Sequence, residues 1–167
     1  VKMRFMKDIY NWVGQKVPEF ELQNTWGNRV NIKSFEGKSN VIIILIRGLM
    51  CPVCRTHLLT LLKDLKKFKE LDTVLYIITA DRFENARRLE VYYLKKQVPI
   101  YFDTKHEIVT LLKQDVKILS LGRLPAILIV DKKGTVQYAY YGSSFIDIPS
   151  NRELLRTLTK IEGKAEK

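Results

Sequence analysis

Two cysteines separated by two residues are the part of this sequence with the clearest chemistry. Cys51 and Cys54 are the only cysteines among 167 residues. They follow an apolar run at 41–46 and precede apolar residues at helical spacing (Leu58, Leu61, Leu62, Leu65 and Phe68). At a helix N-terminus, unpaired N–H groups and the helix dipole favour the thiolate of the first cysteine, and the second lies one turn further on. The spacing therefore predicts a redox-active dithiol.

Other roles for a cysteine pair need residues that this sequence lacks. A zinc site needs four ligands, and only His57 and His106 are available to complete one. Haem attachment needs a histidine where this chain has Arg55, and an iron–sulfur cluster needs more thiolates. We therefore expect no metal and no cofactor. A pair of inert buried cysteines stays an alternative, but Pro52 argues against it, because proline favours the first helical position and would leave Cys51 as an exposed N-cap.

The composition is typical of one globular domain with a basic surface. The formal net charge is +11, and 46% of the residues are hydrophobic. The lysines are spread along the chain rather than gathered with aromatic residues, so we do not expect nucleic acid as a partner. The charge favours acidic partners instead. No feature of the sequence sets the oligomeric state.

The sequence contains no apolar run near the ~18 residues of a membrane span, the longest being 41–46. The first eight residues are rich in charge and hold no signal-peptide segment. Because the sequence starts at Val1 rather than Met, removal of a targeting segment before this residue stays an open alternative. We expect no membrane contact and a cytoplasmic protein, in which a lone pair of cysteines is more often catalytic than structural.

Short β-rich runs alternate with helical patterns along the chain. Strands are predicted at 41–46, 73–79, 98–102, 126–130 and 135–141. The first two of these, joined through the cysteine helix, predict a parallel β-α-β unit. Hairpin turns are predicted at 131–134 and around 26–28. Capping boxes predict three helix starts, at Asp81 to Glu84, Thr104 to Glu107 and Ser150 to Glu153.

These elements predict an α/β domain with a mixed central β-sheet flanked by helices and an N-terminal β-hairpin. The domain is expected to run over residues 17–161, after an N-terminal extension at 1–16 and before a charged tail at 162–167. A β-α-β unit followed by a β-β-α unit, with the cysteine pair after the first central strand, is the arrangement of thioredoxin.

The chain resembles the peroxiredoxin-like (AhpC/TSA) branch of the thioredoxin superfamily. The resemblance covers roughly residues 14–161, and its most specific part is the segment around the cysteine pair. Its matching segments follow one another in the family's order, at 17–22, 27–32, 47–55, 98–103 and 124–134. It implies a thioredoxin-like fold and a thiol-dependent oxidoreductase.

The sequence departs from the family at the peroxide site. Typical peroxiredoxins carry Pro-x-x-x-Thr-x-x-Cys, whereas this chain has Ile44 and Gly48 in place of the proline and the threonine. They also carry an arginine near the position of Pro125. The missing threonine and arginine orient a peroxide, so the resemblance favours disulfide exchange. Arg47, Arg55 or Arg123 would have to supply a substitute guanidinium for a peroxidase.

The primary hypothesis is a thiol–disulfide oxidoreductase. Cys51 would attack as the thiolate and Cys54 would resolve the mixed disulfide, with Pro52 at the start of the helix. Arg47 and Arg55 flank the pair and are candidates for stabilising the thiolate. The resemblance implies a cis peptide bond before Pro125, which would leave the Leu124 backbone free to pair with a substrate strand. His57, one turn after Cys54, is expected to be an ordinary core or surface residue rather than a catalytic one.

Two further hypotheses stay open. The first is a thiol peroxidase in which Cys51 is oxidised by peroxide and Cys54 condenses with the product. The second is a non-catalytic binding module. The expected partners are accordingly a protein disulfide or dithiol, or a peroxide together with a thiol reductant.

Overall fold

The computed structural model describes residues 6–117 and 122–164. The first five residues of the predicted extension and the last three of the predicted tail lie outside this range. The central sheet has the strand order β5-β4-β3-β8-β9. Its strands are β3 (Asn40–Ile46), β4 (Thr73–Thr79), β5 (Ile100–Phe102), β8 (Ala126–Val130) and β9 (Val136–Tyr141).

The sheet is mixed, as the sequence predicts. Strand β3 pairs with β4 in parallel and with β8 in antiparallel, with Ile43 opposite both Tyr76 and Leu128. Every residue of β3 is buried. Alternate side chains point to opposite faces, so Ile42 and Ile44 belong to one half of the core and Ile43 to the other. A strand buried on both faces explains the continuous apolar run.

Helices cover both faces of the sheet. They are α1 (Pro52–Lys63), α2 (Leu65–Glu70), α3 (Phe83–Tyr93), α4 (Glu107–Leu111) and α5 (Asn151–Ile161). Helix α1 connects β3 to β4 and places Leu58 and Leu61 in the core with no exposed surface. Among the described residues, no helix combines the length and the apolar character needed to cross a membrane.

Both predicted hairpins are present. Strands β1 (Glu21–Gln23) and β2 (Arg29–Asn31) pair in antiparallel. Gly27 in their turn has φ +84°. A short 3₁₀ helix follows at Ile32–Phe35. Strands β8 and β9 are joined through a turn in which Gly134 N–H donates to the Asp131 carbonyl. A further small hairpin consists of β6 (Val116–Lys117) and β7 (Gly122–Arg123).

A helix follows each of the three predicted starts, and one of the three predicted N-caps is confirmed. Ser150 caps α5, and its side chain accepts the Glu153 N–H at 3.2 Å. Helix α4 begins at Glu107 and is capped by the carboxylate of Asp103 rather than by Thr104, because the Asp103 oxygens accept N–H groups of the first turn at 2.8–3.2 Å. Helix α3 begins at Phe83 after Arg82 and has no side-chain cap, so the predicted caps at Thr104 and Asp81 are both wrong.

Candidate active site

Cys51 is the N-cap residue of α1, as predicted. Its backbone is extended, with φ −89° and ψ 109°, and Pro52 occupies the first helical position. The Cys51 Sγ accepts the Cys54 N–H at 3.2 Å, one of the N–H groups that the helix leaves unpaired. This contact and the helix dipole both favour negative charge on the Cys51 sulfur.

Cys54 lies one turn into the same helix and is 2% exposed. Burial raises the pKa of its thiol to about 12, and the hydrogen bond with Cys51 acts in the same direction. The backbone N–H of Arg47 approaches the Cys54 Sγ at 3.3 Å and lowers that pKa in part. The two thiols therefore differ in character, because Cys54 is held as a buried, protonated thiol.

Cys51 is more enclosed than the sequence predicts. It is 8% exposed, so its predicted exposure as an N-cap is wrong, whereas its neighbour Met50 is 87% exposed. The Arg47 guanidinium lies beside the sulfur, with Nη1 3.9 Å from the Cys51 Sγ, and also packs over the Phe145 ring at 5.4 Å from the ring centroid. Arg47 and the segment carrying Phe145 thus border the site.

The loop that precedes Cys51 is built around Gly48. Gly48 has φ +136°, a conformation that residues with a Cβ rarely adopt. A Cβ added there would lie 2.8 Å from Oδ2 of Asp81, and the same carboxylate oxygen accepts the Leu49 N–H at 3.3 Å. Asp81 thus fills the space that a side chain at position 48 would need. A threonine at position 48 would be strained at this φ and would have to displace the Asp81 carboxylate.

The other two candidate arginines contact groups away from the sulfurs. Arg55 stacks on Tyr93 of α3 and donates to its hydroxyl at 3.4 Å. Arg123 lies 2.9 Å from Nδ1 of His106, whose Nε2 contacts the Ala80 carbonyl at 3.0 Å. Of the three guanidinium groups, that of Arg47 lies beside the Cys51 sulfur, whereas Arg55 contacts Cys51 through its backbone N–H.

The predicted cis peptide bond before Pro125 is wrong. No cis bond occurs in the described part of the chain, so the Leu124–Pro125 bond is trans, the isomer favoured at most X-Pro bonds. The Leu124 backbone is also not free for a substrate strand. Its N–H donates to the Asp115 carbonyl at 2.9 Å, and its carbonyl accepts the Gln114 side chain at 3.0 Å.

His57 is a core residue. It is 9% exposed, and burial lowers the pKa of its imidazole to about 4, so it is neutral at physiological pH. Its burial agrees with the expectation that His57 is an ordinary core or surface residue. Within the described ranges, no cluster of His, Cys, Asp and Glu side chains suits a metal ion.

Two residues at this site were not identified from the sequence. Asp81 was interpreted as a helix cap, yet its carboxylate contacts the loop before Cys51. No sequence pattern identified Gln114 as a site residue, because a single glutamine in a polar segment is compatible with many roles. Its side chain joins the end of β3 to Leu124. Only the tertiary structure brings these residues to the cysteine pair.

Comparison with protein families gives one match over most of the chain. The AhpC/TSA family matches residues 13–139. Two relatives are named thiol-disulfide oxidoreductase ResA, from Bacillus thuringiensis subsp. konkukian and from Bacillus cereus. Each is 24% identical over 132 residues, which covers 79% of this chain and 71% of the relative.

Solved structures show the same fold. The reduced 2-Cys peroxiredoxin of Plasmodium vivax superposes with a TM-score of 0.80 at 21% identity and covers 92% of this chain and 83% of its own. The peroxidoxin BcpB of Mycobacterium tuberculosis superposes with a TM-score of 0.75 at 13% identity. The match covers 92% of this chain and 98% of BcpB. The mitochondrial 2-Cys peroxiredoxin of Plasmodium falciparum superposes with a TM-score of 0.73 at 21% identity. The match covers 89% of this chain and 93% of the peroxiredoxin. The predicted thioredoxin-like fold is confirmed.

Proposed function

The chain belongs to the AhpC/TSA family, and we propose that within this family it acts as a thiol–disulfide oxidoreductase through Cys51 and Cys54. The observation that carries the proposal is the unequal environment of the two sulfurs. Cys51 Sγ lies at the helix N-terminus, with the Cys54 N–H and the Arg47 guanidinium beside it. Cys54 lies one turn inside the helix, where burial raises its pKa to about 12 although the Arg47 N–H approaches its sulfur. This is the division of roles that attack followed by resolution requires.

The reaction proceeds in two exchanges. The Cys51 thiolate attacks one sulfur of a partner disulfide, the partner S–S bond breaks, and the second partner sulfur leaves as a thiolate that takes a proton from water. Cys54 then loses its proton to water and attacks the Cys51 sulfur. The Cys51–Cys54 disulfide forms and the remaining partner thiolate leaves. The partner disulfide is reduced by two electrons and the Cys51–Cys54 dithiol is oxidised.

The remaining site residues support this chemistry without taking part in it. Pro52 fixes the first turn of α1 and so orients the N–H groups toward Cys51. Arg47 contributes positive charge beside the attacking sulfur, and Arg55 packs α1 against α3 through Tyr93. Leu124 and Pro125 stay proposed supporting residues, and the Gln114 side chain connects the Leu124 carbonyl to the end of β3.

Peroxidase activity is the second candidate, and Arg47 is the observation in its favour. Its guanidinium lies close enough to Cys51 to polarise a bound peroxide. Gly48 and Asp81 argue against it, since the loop has no room for a side chain that would orient the peroxide. The ResA relatives, which carry the name of thiol-disulfide oxidoreductases, support the first candidate.

Trapping with single-cysteine variants tests the proposal. The reduced protein is mixed with a disulfide-linked peptide, and the products are separated by non-reducing electrophoresis and mass spectrometry. Cys54→Ser should accumulate a mixed disulfide through Cys51, because nothing resolves it. Cys51→Ser should give none, because the raised pKa of Cys54 keeps its thiol protonated and the residue is only 2% exposed. Equal yields from the two variants would contradict the assigned roles.

Several wider statements stay predictions. We infer a protein disulfide as the partner and the cytoplasm as the compartment, and we place the catalytic domain at residues 17–161 between an extension and a charged tail. Expression of residues 17–161 alone would test these boundaries. Cell fractionation would test the compartment.

A further inference from the structure

Gln114 is buried next to the site but is not part of the cysteine chemistry described above. It is 6% exposed and lies just after α4. Its Nε2 donates to two backbone carbonyls, that of Ile46 at 3.2 Å and that of Leu124 at 3.0 Å. Both partners are acceptors, so the NH₂ end of the amide must face them and the orientation of the side chain is fixed.

The hydrogen bond from Gln114 to the Ile46 carbonyl is connected to Cys54 by a single peptide group. The Ile46 carbonyl and the Arg47 N–H belong to the same peptide. Gln114 holds that peptide at its oxygen, and its N–H approaches the Cys54 Sγ at 3.3 Å. A hydrogen bond to the oxygen of a peptide strengthens the donor at its nitrogen, because hydrogen bonds in a chain polarise one another.

The other end of the Gln114 amide indicates a role besides stability. Its Oε1 is buried and finds no hydrogen-bond partner among the described residues. An unpaired buried acceptor costs free energy, so an apolar side chain of the same size would avoid this cost. What Gln114 supplies that an apolar residue would not is the pair of donors to the carbonyls of Ile46 and Leu124.

We infer that Gln114 is a positioning residue for the second exchange, because it holds the Ile46–Arg47 peptide so that the Arg47 N–H points at the sulfur of Cys54. This inference rests on the proposed function. In that exchange Cys54 must give up its proton to water before it attacks Cys51, and the aligned N–H stabilises the resulting thiolate. The Arg47 N–H and the Gly48 N–H are the two groups that lower the Cys54 pKa against the effect of burial, and the Arg47 N–H is the stronger of the two. Gln114 acts on Cys54 through this peptide group and not through a hydrogen bond of its own to the sulfur.

The inference predicts that replacing Gln114 slows the second exchange but not the first. Gln114→Met keeps the length of the side chain and removes both donors, and Gln114→Asn keeps the amide but is too short to reach both carbonyls. In each variant, attack by Cys51 on a disulfide-linked peptide should stay within about twofold of the wild type. Resolution by Cys54 should slow on the order of tenfold, because the released peptide no longer holds its N–H at the sulfur and the thiolate loses about the value of one hydrogen bond to a charged group. Gln97→Met, at an exposed position, is the matched control and should change neither rate.

Rapid mixing, acid quench and mass spectrometry measure both steps by following the mixed disulfide as it forms and decays. Equal slowing of the two steps, or no slowing of the second, would overturn the role of Gln114.

A second measurement does not depend on exchange activity. Hydrogen exchange of the Arg47 amide should become faster in Gln114→Met, and unchanged protection would also overturn the role. A wild-type protein that never forms the mixed disulfide would instead contradict the proposed function, and the amide measurement would still decide on Gln114.

Discussion

His57 should make the fold sensitive to acid. Burial lowers the pKa of its imidazole from 6.5 to about 4 in the folded protein. As the pH falls through 6.5, the unfolded chain takes up a proton at this residue while the folded chain does not, so the free energy of unfolding decreases. The decrease ends below about pH 4, where the folded protein is also protonated.

The expected size follows from the two pKa values. Each pH unit between them is worth about 1.4 kcal/mol, which gives a total loss of about 3 kcal/mol at low pH. Between pH 7 and pH 5 the loss should be about 2 kcal/mol. This is a large fraction of the ~5–15 kcal/mol that stabilises a typical domain.

Urea unfolding at pH 7 and pH 5 measures this loss in the wild type and in His57→Leu. The variant should lose about 2 kcal/mol less than the wild type over this interval, because its other titrating groups are the same. His57→Gln gives a second, polar replacement. His106→Gln removes the other, exposed histidine and should keep the full loss, since His57 is still present. If His57→Leu were as acid-sensitive as the wild type, the reasoning from burial would be refuted.

Three further predictions concern the loop before Cys51 and one helix. Gly48→Ala should slow mixed-disulfide formation at Cys51, because its Cβ would press on the Asp81 carboxylate; a wild-type rate in a quenched time course would contradict this. Asp81→Asn should retain more of that rate than Asp81→Ala, since the asparagine oxygen still accepts the loop N–H; equal rates would exclude this role. Ser150→Ala should lower the free energy of unfolding by about 1 kcal/mol in urea, through loss of a helix cap.

The sequence predicts the sheet and the chemistry of the cysteine pair because both follow from local patterns. The apolar runs at 41–46 and 73–79 are long enough to identify buried strands, and they form β3 and β4. Pro52 after Cys51 predicts the helix start, and the structure confirms it. In each case the residues that carry the signal are neighbours in the chain.

The features that the sequence did not predict depend on contacts between distant segments. Cys51 is enclosed beside Arg47, which packs on Phe145 almost one hundred residues later in the chain. Asp81 contacts the cysteine loop instead of capping its own helix, because its carboxylate fits against Gly48. The cis bond before Pro125 was expected from the resemblance alone, and no local sequence feature supported it.

The central claim is that Cys51 reacts preferentially with disulfides rather than with peroxide. Rapid mixing of the reduced protein with hydrogen peroxide, and separately with a disulfide-linked peptide, followed by acid quench and mass spectrometry, measures both rates. Without a threonine at Gly48 or an arginine at Pro125, peroxide gains little stabilisation in the transition state beyond ordinary thiolate chemistry. We expect peroxide to oxidise Cys51 only modestly faster than it oxidises a small free thiolate, and the peptide disulfide to react readily. Oxidation by peroxide several orders of magnitude faster than that of the free thiolate would contradict the account.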